Sequence, residues 1–276
     1  MKNITEEENS MLLGARTQMM DGKYTFEEIF AFSKECGVEA LEYCCEDFGF
    51  QYRPETTEDY TIEHVKELSE KYNIKIGAVG NHLAFAQKEL YFEAIKKMIP
   101  KVKRLGTDVF IISSNPIFGG NSNIKILQPE MLDVYKKKLR ALLDVAEENG
   151  VKLALEPEPP GFITSSQDML NLIDEMKSEA LCINFDIGHA FLTDDDYLQT
   201  IRDFGDRIVH GHIENLIRGE HIHRLLNDGD IDLVACLTEL KKLNFKGSMA
   251  LDIYAFEYDK VLKESMDILR EMYAKA

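Results

Sequence analysis

Eight short runs rich in apolar and β-branched residues recur along this chain, and their spacing constrains its fold more than any other feature. They are SMLLGAR (10–16), EALEYC (39–44), IKIGAVG (74–80), DVFIISS (108–114), VKLALEP (151–157), LCINFDI (181–187), RIVHGHI (207–213) and GSMALDI (247–253). Their starts are separated by 29, 35, 34, 43, 30, 26 and 40 residues, room each time for one helix and two loops. The intervening segments carry helix signals. Tyr24–Cys36 opens with Thr25-x-x-Glu28 and stops before Gly37. Met131–Asn149 repeats apolar residues at Leu139, Leu142, Leu143 and Ala146 before Gly150. Ser165 or Ser166 is placed to cap a helix carrying Leu170, Ile173 and Met176, and a last helix runs from about Asp259. The runs are mostly continuous apolar stretches, as in a parallel sheet buried on both faces. Eight βα units predict an α/β fold, a closed (β/α)8 TIM barrel, formed as one domain over 1–276. An open doubly wound sheet is the alternative, but no GxGxxG turn follows the first strand.

Composition narrows the function classes. A formal net charge of −17 repels a phosphate backbone and argues against nucleic acid as a partner. No apolar run approaches the roughly 20 residues of a membrane span, and MKNITEEENS lacks the pattern of a secretion signal. These features predict a cytoplasmic protein with no membrane partner. Cys36, Cys44, Cys45, Cys182 and Cys236 are odd in number and show no CxxC spacing, which predicts free, buried thiols.

In a barrel of this kind, chemistry lies at the C-terminal ends of the strands. Here the fifth strand ends in Glu156, the sixth in Asp186, the seventh in His212 and the eighth in Asp252. Each alone has a structural explanation: an ion pair for Glu156, a helix cap for Asp186, a satisfied core histidine for His212. Three acids and a histidine at matching depth on neighbouring strands would be costly to bury without a cation. Together they predict a divalent metal site. Oxygen and nitrogen donors without thiolate suit Mn²⁺, Mg²⁺ or Co²⁺, with Zn²⁺ a further fit.

The motifs LALEPEP (153–159), NFDIGH (184–189), HGHIEN (210–215), HRLLNDGDID (223–232) and KGSMALDIY (246–254) resemble the xylose isomerase-like superfamily of TIM barrels. Within it they resemble the sugar phosphate isomerase/epimerase family, which includes the ketose 3-epimerases. The resemblance spans the chain, with its specific motifs in 150–255. It implies Glu156, Asp186, His212 and Asp252 as ligands of a divalent metal, most often Mn²⁺. It implies His189, three residues past Asp186, and Arg218, six past His212, as substrate-binding residues, with Glu158 on a hydroxyl and His223 at the border of the site. The implied substrate is a small ketose or related keto-sugar, here read as unphosphorylated because no phosphate-cradling glycine motif stands near strands seven and eight. The implied reaction is isomerisation or epimerisation through a metal-stabilised enediolate, with Glu156 and Asp252 moving the proton. Relatives of this kind are often homo-oligomers.

One departure matters: the ketose 3-epimerases have glutamate where this chain has Asp252, so a carboxylate that must reach a carbon-bound proton is one methylene shorter. Metal-dependent β-elimination on a keto-polyol or 3-keto-glycoside, the reaction of dehydratases and C-glycoside deglycosidase subunits, is therefore the main alternative. Phosphodiester hydrolysis is disfavoured by the acidic charge and by Ser113 and Ser114, not histidine, at strand four, although His82 follows strand three. A non-catalytic barrel would be expected to have lost a ligand, and none is missing.

Four of the seven histidines lie within RIVHGHIENLIRGEHIHR, 207–224. His210 and His212 share a face of their strand, so His212 reads as the ligand and His210 as a hydrogen-bonded neighbour one layer deeper; His221 reads as a surface residue. Three weaker signals are Glu42 in strand two as an acid near substrate, Phe162 as either a sugar-stacking or a core residue, and Phe118–Ser122 as a flexible connection.

Overall fold

The computed structural model describes residues 10–20, 22–47, 49, 51–114, 129–254 and 256–276; the Phe118–Ser122 connection lies outside them. The eight expected runs form strands β1 (Leu12–Arg16), β2 (Ala40–Cys44), β3 (Lys75–Asn81), β4 (Val109–Ser113), β5 (Lys152–Glu156), β6 (Leu181–Asp186), β7 (Ile208–Ile213) and β8 (Ser248–Leu251). They are parallel, pair in sequence order, and close by pairing β1 with β8. This is the (β/α)8 barrel that the spacing predicts.

The helices between the strands are α1 (Phe26–Glu35), α2 (Asp59–Tyr72), α3 (Glu89–Met98), α4 (Pro129–Asn149), α5 (Ser166–Met176), α6 (Ile187–Thr193), α7 (Tyr197–Phe204), α8 (Leu233–Lys242) and α9 (Tyr258–Lys275). Their ends follow local chemistry. Thr25 and Glu28 form the expected capping box of α1, and Ser165 rather than Ser166 caps α5 with Asp168 as its reciprocal partner. Gly37 and Gly150, just past α1 and α4, take positive φ of 75° and 60°, backbone that glycine adopts without strain.

The apolar core forms mainly between the outer faces of the strands and the helices around them. A smaller cluster of Ala78, Val109, Ile111 and Ala154 is separate from it. All five cysteines are free and buried. Phe162 is partly buried against the core. No helix among the described residues is long and apolar enough to cross a membrane.

Strand register decides which side chains meet at the C-terminal mouth. Arg16 pairs with Glu42, Ser113 with Glu156, and Asp186 with His212. The last pairing follows a register shift between Ile183 and Asn184. Strand β8 ends at Leu251, but Asp252 N–H still donates to Ile213 C=O at 3.2 Å, so Asp252 continues the rim beside β7.

Candidate metal centre and its pocket

Glu156, Asp186 and His212, from three adjacent strands, bring one ligand atom each within 4.8 Å of one another, all buried. His212 Nδ1 lies 3.2 Å from Glu156 Oε1, 3.6 Å from Asp186 Oδ2 and 3.8 Å from Asp252 Oδ2. Its other nitrogen, Nε2, is 2.7 Å from Glu42 Oε2. A carboxylate behind a histidine fixes the ring and its tautomer, the arrangement that supports metal-bound imidazoles. Glu42, read from the sequence as an acid near substrate, therefore sits behind His212.

The two oxygens of Asp186 have different settings. Oδ1 accepts the His189 backbone N–H at 2.7 Å and caps α6. Oδ2 is buried with no hydrogen-bond partner among the described residues. A buried orphan carboxylate oxygen is costly, and a cation satisfies it. The residues present therefore fit a divalent metal, and the oxygen-rich donor set with one imidazole suits Mn²⁺ or Mg²⁺.

Asp252 has a different setting from the other three. Its Oδ1 pairs with the guanidinium of Arg16, a side chain only 1% exposed, which also reaches Glu42 Oε1 at 3.2 Å and the Tyr254 hydroxyl at 2.8 Å. Its Oδ2 is 3.3 Å from His223 Nδ1. Asp252 thus groups with Asp186, Glu214 and His223, in a second set whose ligand atoms also lie within 4.8 Å of one another. Arg16 and Glu214 were not singled out from the sequence. Arg16 ends a strand, as Glu156 does, and that position was the available signal. Glu214 lies within the quoted HGHIEN motif.

His82 belongs to the same network, with Nδ1 at 2.6 Å from Glu46 Oε1 and Nε2 at 3.4 Å from Glu156 Oε2. His210 Nδ1 donates to Asn184 Oδ1 at 2.8 Å, one layer below His212, as the alternation of a strand requires. Burial pushes its pKa down to about 3, so it stays neutral.

Arg16, His82, Glu156 and Asp252 line a cavity of about 380 Å³, whose walls also include Glu158, His189, His221, His223 and Tyr254. His221, expected at the surface, is exposed and still lines the cavity; its ring packs 5.0 Å from that of His189 and 5.4 Å from that of His223. The loop carrying both is held by Asn215, whose side chain accepts from Ile231 N–H at 2.9 Å and donates to Leu226 C=O at 2.8 Å. Glu158 accepts the Ser113 hydroxyl at 2.8 Å, and burial raises its pKa. Arg218 is placed elsewhere: its guanidinium lies 3.6 Å over the Phe191 ring, donates to the Phe191 carbonyl, and is not among the cavity's lining residues. A larger cavity of about 960 Å³ opens at the opposite, N-terminal end of the strands. The acid and histidine clusters do not reach it.

The charges set a pH signature for the metal-free protein. Burial and Arg16 oppose protonation of His82, but Glu156 and Glu46 outweigh them and raise its pKa to about 9. Burial is likewise overcome at His223 by Glu214 and Asp252, giving about 10. A raised histidine stabilises the fold fully below its unfolded value of about 6.5 and loses that contribution as pH rises through the folded value. Glu42 and Asp252 are held below the usual carboxylate range, against burial, chiefly by Arg16, so their contribution is lost as pH falls below about 4. In chelator, stability should therefore be greatest near pH 5–6 and fall between pH 6.5 and 10 by on the order of 3 kcal/mol per histidine. Urea midpoints across that range test this, and a flat alkaline limb contradicts it.

Residues 30–272 match the sequence profile described as xylose isomerase-like TIM barrel. Protein MJ1311 of Methanocaldococcus jannaschii, itself uncharacterized, is 24% identical over 260 residues, 87% of this chain and 85% of that one. An inosose dehydratase of Clostridium perfringens is 21% identical over 214 residues, 67% of this chain and 71% of its own. Among solved structures, the 3-keto-D-glucoside 4-epimerase YcjR of E. coli superposes with a TM-score of 0.76 at 18% identity, covering 95% of this chain and all of YcjR. With the profile spanning nearly the whole barrel, this chain belongs to the xylose isomerase-like TIM barrel family.

Proposed function

We propose that this protein is a divalent-metal-dependent isomerase or epimerase of a ketose or related keto-sugar. The observation that carries this reading is the convergence of Glu156, Asp186 and His212, with Glu156 lining the cavity and Asp186 Oδ2 lacking a hydrogen-bond partner among the described residues. Glu156, Asp186, His212 and the Oδ2 of Asp252 would hold the metal, most often Mn²⁺. When bound it supplies Lewis acidity to a carbonyl and its neighbouring hydroxyl.

The protein's own residues divide the remaining work. Glu156 faces the cavity and takes the proton α to the carbonyl, giving an enediolate. Asp252 is a weaker proton acceptor, because protonating it would break its pair with Arg16. His189, His223 and Glu158 line the cavity and hold substrate hydroxyls. Arg218 joins them only if it leaves the Phe191 ring. The family includes isomerases, epimerases and dehydratases, and its epimerases act on small sugars.

Glu158 favours a second reading, β-elimination. Desolvation raises its pKa, so this half-buried acid can protonate a departing hydroxyl. Incubation with ketoses and keto-glycosides in D₂O with Mn²⁺ separates the two. Deuterium entering beside the carbonyl without loss of a group supports the isomerase or epimerase. An enone product with loss of water or an aglycone supports the lyase. Metal-independent or absent exchange across the panel contradicts both.

A further inference from the structure

We propose that the cavity at the N-terminal end of the strands binds a small organic anion, an apolar body carrying a phosphate group. The position is remote from the candidate metal centre and does not depend on the function proposed above.

The cavity holds about 960 Å³, a size typical of small-molecule sites. It is built on the opening residues of six strands: Leu12, Lys75, Val109, Lys152, Ile208 and Ser248. Lys152 opens β5 and Glu156 ends it, so roughly 13 Å of strand separates this cavity from the acids at the other mouth.

Charge sets the cavity apart from the rest of the protein. The chain has 32 lysines and arginines against 49 acids, yet the described lining residues include four lysines against two acids, Asp108 and Asp206. Lys152 takes up Asp108 at 3.0 Å. The other three, Lys75, Lys103 and Lys246, are exposed, so their ammonium groups stay charged and well placed to meet an anion. Lys103 lies over the backbone at Gly150, where a Cβ would stand 2.6 Å from its Nζ. Lysines gathered around one opening repel each other, and a bound anion offsets that repulsion.

Much of the remaining lining is apolar, with Ile76, Leu105 and Phe245 beside Leu12. One polar group interrupts it. Ser248 is 2% exposed, and its Oγ has no hydrogen-bond partner among the described residues. A buried hydroxyl without a partner is costly, and an anion oxygen would accept its proton. Gly77 leaves room for that hydroxyl: a Cβ there would stand 2.1 Å from Ser248 Oγ. A phosphate ester offers charge to the lysines, an accepting oxygen to Ser248 and its apolar body to the lining.

Isothermal titration calorimetry with phenyl phosphate, run in chelator, tests this. One equivalent is expected to bind, and more weakly as salt is raised. Inorganic phosphate lacks the apolar body and phenol lacks the charge; each is expected to bind about tenfold more weakly or worse. The double variant Lys75→Gln with Lys103→Gln should lose about tenfold in affinity, and Glu156→Gln should bind as the wild type does. Ser248→Ala should bind more weakly, while its unliganded form melts higher than the wild type because the unpaired hydroxyl is gone. No binding of phenyl phosphate overturns the proposal, as does inorganic phosphate binding equally well. Affinity unchanged in the lysine variant or in Ser248→Ala also overturns it. Loss of binding in Glu156→Gln would put the anion at the opposite mouth and overturn it too.

Discussion

Glu156→Gln is expected to lower kcat/KM by roughly 10²–10⁴-fold, the usual range for removing a positioned proton acceptor, while leaving a cooperatively folded barrel. The amide fits the same volume and can still hydrogen-bond within the cluster, so the loss is of charge and basicity rather than of packing. His212→Ala should behave differently. It removes the donor to Glu42 and the shared neighbour of Glu156, Asp186 and Asp252, leaving buried carboxylates without their cationic partner. Breaking a buried pair from one side costs about 3–5 kcal/mol, so this variant should lose both activity and stability. Steady-state kinetics with Mn²⁺ and urea unfolding measure the two effects. A fully active His212→Ala protein would sink the site assignment.

Arg16→Leu is expected to be strongly destabilising, by about 3–5 kcal/mol. The guanidinium is 1% exposed and joins Glu42, Asp252 and the Tyr254 hydroxyl, so leucine leaves two buried carboxylates with only a histidine each, His212 for Glu42 and His223 for Asp252. Arg16→Lys keeps the charge but not the planar fork, and one ammonium does not reproduce that geometry; an intermediate loss follows. Adding Asp252→Asn to Arg16→Leu should recover part of the deficit, because the two residues share one interaction and their effects are not additive. Chemical denaturation followed by circular dichroism checks all three. An Arg16→Leu protein within about 0.5 kcal/mol of wild type would show that the carboxylates are neutralised in some other way.

These two residues illustrate different degrees of legibility. Glu156 was visible in the sequence because an ionisable side chain at the end of an apolar strand stands out against its run. Arg16 occupies the matching place on β1, yet an arginine after LLGA also reads as an ordinary strand terminus reaching water. Only the β1–β2 register, which sets Arg16 beside Glu42, and barrel closure, which pairs β1 with β8 and brings Arg16 to Asp252, turn it into the counter-charge of the site. Asp186 illustrates a third case. Helix capping and metal binding looked like alternatives in the sequence, whereas one oxygen caps α6 and the other is left without a hydrogen-bond partner among the described residues.

Local periodicity and capping chemistry were enough to determine eight parallel strands, their order and much of the helix framing, because each depends on residues a few positions apart. The acids and histidine of the first ligand set were legible for the same reason, as polar interruptions of apolar runs. Tertiary structure alone decided that Asp252 belongs with Arg16, Glu214 and His223, that Glu42 stands behind His212, and that Arg218 lies on Phe191. Those relations depend on strand register, barrel closure and the path of the loop after β7. They join residues up to 236 positions apart, as Arg16 and Asp252 are, and no local pattern records such a distance.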